Sequence, residues 1–171
     1  DEGLEKLPAG YVSAINNLED IEREGYHLIV LPKEQKVIVH AKTKRGSLYG
    51  VGKLLRKMEM RSNEILIPER LQIASSPRYE IRGHQLGYRP KTNSYDAWSV
   101  EQFDQYIREL AIFGANSIEI MPPRTDDDFT SRHMQIPAID MIREQSRICN
   151  DYDLDVWMWY PNMGKDYQDT D

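Results

Sequence analysis

The chain has 171 residues, 40% hydrophobic and 29% charged, a balance that supplies packed cores for one or two globular domains. Its formal net charge of -6 argues against a nucleic-acid partner, because phosphate binding depends on clustered Lys and Arg, and here these are scattered. The single cysteine excludes an internal disulfide and any multi-cysteine metal site, and no apolar run approaches the roughly 18 residues needed for membrane insertion as a helix.

Residues 1–25 are acidic, with a short helix expected over 11–20, where Val12, Ile15 and Leu18 recur at helical spacing. YHLIVLP (26–32) and KVIVHA (36–41) read as two strands joined through KEQ into a hairpin. GSLYGVGKLLRKMEM (46–60) repeats Leu48, Val51, Leu55 and Met58 at steps of three and four, a helix with one apolar stripe. Gly50 and Gly52 are expected to let its backbone approach a sheet closely. EILIPERLQIA (64–74) returns to a strand pattern, with Pro68 at an edge or bulge. Strand, strand, helix, strand makes a small α/β sandwich, and SSP at 75–77 marks its end, so that residues 1–76 form the first domain.

From residue 77 the rhythm becomes alternation of strand and helix. YEIRGHQLGY (79–88) is the first strand. Ser99 with Gln102 three residues later is a capping box, Trp98 can staple onto Phe103, and Phe103, Tyr106 or Ile107, Leu110 and Phe113 line one helix face up to Gly114. SIEIMPP (117–123) is the second strand. A second helix starts at Pro137 with Ala138, Met141, Ile142, Ile148 and Cys149 on one side, and DVWMWYP (155–161) is the third strand.

Such a βαβαβ series implies parallel strands with helical crossovers, held either in an open doubly wound sheet or in a barrel. No Gly-rich phosphate fingerprint follows the first strand, which counts against a nucleotide-binding sheet and leaves no cofactor implied. A complete barrel takes about 250 residues, so residues 77–171 are expected to hold the first βαβαβ segment of an incomplete (β/α)8 barrel.

In both architectures ligands meet the carboxyl ends of the strands. The first strand ends at Tyr88 and Arg89, the second carries Glu119, and the third presents Trp157, Trp159, Tyr160 and Asn162. Flat rings beside carboxylates, guanidinium and amide groups suit sugars, whose hydroxyls need hydrogen bonds and whose CH faces stack on aromatic rings. Glu119, between Ile118 and Ile120, faces either a polar interior or a salt bridge to Arg82 or Arg89. His84 lies mid-strand, as a packed histidine or as a ligand-binding group. Trp157 and Trp159 share a strand face by period two, and one of them is expected in the helix-packing core. Asp126, Asp127 and Asp128 with His133 lack the Gly and terminal Glu of a calcium loop and are taken as solvated, so no metal is expected.

Three stretches carry a family resemblance. EGYHLIV, KVIVHAKTKRGSLYGVGKLL and ILIP look like the noncatalytic α/β domain that precedes the barrel in secreted bacterial glycoside hydrolases. SSPRYEIRGHQL resembles the entry into barrel strand one, and ELAIFGANSIEIM resembles barrel helix one running into strand two. The relatives are the β-N-acetylhexosaminidases of glycoside hydrolase family twenty and the α-glucuronidases of family sixty-seven. The resemblance implies an accessory domain followed by a TIM barrel, a glycosidase acting on an oligosaccharide or glycan, and a periplasmic or extracellular location. The substrate-gripping Arg of the hexosaminidase motif corresponds to Arg89, one position early, with Gly87 in place of the motif's Asp. Glu119 and Met121 stand where the family carries histidines, and VWMWYPN lacks its Pro-Glu-x-Asp pattern, so family twenty is an architectural relative. The expected substrate-binding residues are Arg89, His84, Glu119, Trp159 and Asn162. The family's catalytic carboxylates belong to later barrel strands, so no residue here is assigned as catalytic and the chain alone is expected to be inactive. The alternative from another class is a noncatalytic carbohydrate-binding or scaffold module. Open strand edges imply self-association.

Overall fold

The structure, a computed structural model, describes residues 9–16, 19–86, 98–120 and 135–158. It is mixed α/β, and by contacts the chain divides into two units: residues 1–80 with Ala111–Gly114, and residues 81–110 with 115–171.

In the first unit, strand β1 (Tyr26–Leu31) is central, paired antiparallel with β2 (Lys36–Ala41) on one side and β5 (Gln72–Ser75) on the other. The β1–β2 hairpin turns through a 3-10 segment, Pro32–Glu34, and closes at Gln35 in the left-handed region (φ 50°). Helix α2 (Lys44–Leu55) covers one sheet face and packs Tyr49 with Tyr26, Leu28 and Leu71. Helix α1 (Ala9–Ile15) covers the other with Tyr11 and Ala14 against Ile29. Central β1 is accordingly buried from Tyr26 to Ile29 without alternation, as a strand covered on both faces should be.

Three sequence expectations are corrected here. The α2 stripe of Leu48, Val51, Leu55 and Met58 is not the packing face: Val51 and Leu55 are exposed, while Gly46, Tyr49, Gly50 and Gly52 are buried. A Cβ on Gly50 would collide with Val39 and meet Tyr26 at 3.2 Å, so the absence of a side chain brings the helix onto the sheet. The helix also stops at Leu55, and Met60 joins β3 (Glu59–Met60). The third strand expected over 64–74 is two strands: β4 (Ile65–Leu66), which pairs with β3, and β5, which pairs with β1. Pro68 sits between them, where a residue without an N–H ends one ladder before the next begins.

The second unit is built on a parallel three-stranded sheet in the order β6 (Gly83–Gln85), β7 (Ser117–Ile120), β8 (Asp155–Met158). Helix α3 (Val100–Phe113) links β6 to β7, and α4 (Ala138–Asp151) links β7 to β8. The capping box is present: Gln102 N–H donates to Ser99 Oγ (3.3 Å), and Ser99 N–H donates to Gln102 Oε1 (2.9 Å). Trp98 lies against Phe103 with ring centroids 5.5 Å apart. At the other end Gly114 takes φ +109°, with Gly114 N–H bonded to Ala111 O and Ala115 N–H to Leu110 O, the paired bonds of a left-handed helix stop. Helix α4 ends the same way on Asp153 (φ 57°), with Leu154 N–H donating to Cys149 O.

Phe103, Ile107 and Ala111 of α3 and Met141, Ile148 and Cys149 of α4 are buried, as are Ile118 and Ile120 of β7. Phe113 is the exception to the α3 face, 70% exposed, its ring covered by the Arg56 guanidinium at 4.7 Å within the first unit. The first strand of the alternating series is shorter than expected. Residues 79–82 are not strand, and Tyr79 and Ile81 are exposed.

Candidate functional site

The starts of the three parallel strands are tied together by Asn116. Its Oδ1 accepts from Arg82 N–H (2.8 Å), its N–H donates to Arg82 O (3.0 Å), and its own carbonyl accepts from Asp155 N–H (2.8 Å). With the starts aligned, register follows: Gly83, Ser117 and Asp155 lie side by side, and one step later Gln85, Glu119 and Trp157 do. Because strand side chains alternate, both rows share one face, opposite the face of Ile118 and Ile120.

The two faces have different neighbours. On the helix side, the His84 imidazole meets the Tyr106 hydroxyl of α3 at 3.0 Å with its ring edge-on, and Tyr152 at the end of α4 donates to Asp104 of α3. On the other side, Ile81, Gly83, Gln85, Ser117, Glu119 and Trp157, together with His84 and Met158, line an open cleft of about 610 Å³. Gln85 Nε2–H donates to Glu119 Oε1 (3.2 Å) across the adjacent strands. Trp157 is 55% exposed beside them. The arrangement is a flat apolar ring next to a carboxylate that an amide orients, with acceptor capacity left on the carboxylate for an incoming hydroxyl.

Of the sequence-derived site residues, Glu119 lies on this cleft and its cross-strand partner is Gln85, while Arg82 gives its backbone groups to Asn116. His84 pairs in register with Ile118 and directs its ring to Tyr106, and it also lines the cleft, so both readings of this residue stand. Arg89, Trp159 and Asn162 lie outside the described residues, as do Asp126, Asp127, Asp128 and His133. Trp157 stands on the cleft, so it is not a helix-packing tryptophan. Gln85, Ser117 and Asp155 are cleft-face residues that sequence reasoning missed. Counting in twos from Glu119 and Trp157 finds Ser117 and Asp155, but Gln85 needs the cross-strand register.

Cys149 is buried in α4, which pushes its thiol up to about 12 and leaves it without thiolate character. Among the described residues no three His, Cys, Asp or Glu side chains converge as a metal site, and no helix is long and apolar enough to cross a membrane. No protein-family model matches the chain, and no curated protein matches it.

Proposed function

We propose that this chain is part of a secreted carbohydrate-active hydrolase, that its second unit is the opening segment of a (β/α)8 barrel, and that the sheet face opposite α3 and α4 binds a glycan. The observation that carries the reading is the co-facial row Gln85, Glu119 and Trp157 on consecutive parallel strands. A pyranose presents a CH face that stacks on an indole and hydroxyls that donate to a carboxylate. Glu119 acts here as a binding group. Glycoside hydrolysis needs two carboxyl groups flanking the scissile bond, and the family resemblance puts those on other strands.

Calorimetric titration of the full chain with neutral and acidic oligosaccharides tests this. Saturable binding is expected, weakened about tenfold or more (~1.4 kcal/mol) by Trp157→Ala and by Glu119→Gln. Binding that neither substitution weakens, or the absence of binding across the panel, contradicts the proposal. Turnover of an aryl glycoside by the 171-residue chain alone would overturn the assignment of Glu119 to binding without catalysis.

A further inference from the structure

The first unit holds a pair of histidines that the glycan-binding proposal does not use. His27 and His40 are register partners in the β1–β2 ladder, and His27 is 4% exposed. Their rings are near-parallel (17°), centroids 5.7 Å apart, with Nδ1 facing Nδ1 at 3.4 Å. His27 Nε2 lies 2.8 Å from the Glu19 carbonyl oxygen, which only accepts, so this nitrogen carries the hydrogen. Neutral His27 therefore has a bare Nδ1, and His40 Nδ1–H donates to it. The chain of bonds runs His40 to His27 to Glu19 O, joining β2, β1 and the segment before β1.

Among the described residues, no carboxylate offsets positive charge on His40. From α1, the Tyr11 ring sits edge-on to His40, centroids 6.1 Å apart, with its phenol pushed above its ordinary value by burial. From β2, the Lys42 ammonium lies close and donates to Ile21 O. From β5, the register partner of His27 is Ala74, which carries no charge. The Glu19 side chain is exposed, and its carbonyl meets the pair.

We propose that the His27–His40 pair is a pH-sensitive latch of the first unit, closed while His40 is neutral and loosened when His40 takes up a proton. A proton on His40 Nε2 places a cation between the Tyr11 ring, the His27 ring and the Lys42 ammonium. The unfolded chain takes up the same proton in water, without that cost.

The His40 imidazole is held below its ordinary value, first by burial, then by the charges of His27 and Lys42. The sign follows from linkage: a lowered folded value means the unfolded state binds more protons, so stability is fully present above the ordinary histidine value of about 6.5 and is lost as pH falls below it. A deficit of one proton corresponds to an unfolding constant rising about tenfold per pH unit in that window.

The test uses the full chain, with urea unfolding at pH 7.5, 6.0 and 5.0 followed on the Leu28 and Ile29 amide signals, for wild type and His40→Gln. Glutamine can still donate to His27 Nδ1 and carries no titrating charge, so the variant is expected to lose about tenfold per pH unit of the wild-type dependence. A variant that keeps the full wild-type dependence overturns the latch. Should the variant not fold, ring-nitrogen NMR of the wild type decides alone. The latch expects the His40 ring to titrate below free histidine and its protonation to weaken the β1–β2 amide signals, and a His40 ring that titrates at or above the free value in an intact hairpin refutes it.

Discussion

Asn116 is a single buried side chain whose amide and backbone groups hold the starts of three strands. Asn116→Ala removes the acceptor for Arg82 N–H, and a buried unsatisfied donor costs about 1–3 kcal/mol, which should appear as a lower urea midpoint for the second unit. The sequence shows this residue only as Asn before a strand. Its role depends on Arg82, 34 positions away. Cys149 was legible as a core residue from helical spacing alone, and its raised thiol predicts negligible alkylation by iodoacetamide at pH 8 in the native chain, with full reaction in denaturant.

At the scale of elements, local signals were readable where a short motif decides the outcome. Ser99 and Gln102 announce the start of α3 and Gly114 its end, because caps depend on residues only a few positions apart. Ser99→Ala should cost about 1 kcal/mol of stability, measured by denaturant unfolding. Periodicity misled in α2, where the sheet selects the face that can approach nearest, and glycine permits a closer approach than leucine. Gly50→Ala tests this: a Cβ there meets Val39 and Tyr26, and overpacking of this kind costs about 1–3 kcal/mol. An exposed stripe position such as Val51, replaced by Ala, should change stability by much less. The split of 64–74 into β4 and β5 was hidden for a related reason. Composition marks both as strand-like, and only partner choice separates a hairpin with β3 from a ladder with β1.

For the whole molecule, alternation of strand and helix after residue 77 was enough to expect a parallel sheet, and the β6–β7–β8 order bears that out. The site was legible in part. Glu119 stood out because a carboxylate between two isoleucines has to face something polar, whereas the contribution of Gln85 emerges only when Asn116 sets the register. Among the described residues β6 and β8 are the outer strands of their sheet, and unpaired outer strands invite association. Light scattering across a concentration series should show dimers growing in, and a monomer at every concentration would contradict that expectation. The central claim is that the cleft face of the sheet receives a sugar ring on Trp157 with its hydroxyls at Glu119. NMR of the labelled full chain, titrated with the oligosaccharide that gives the strongest calorimetric signal, tests it most directly. The account predicts that the Trp157 indole N–H and the Gln85 side-chain amide move together and saturate. Shifts confined to the first unit, or to the α3–α4 side of the second, would contradict it.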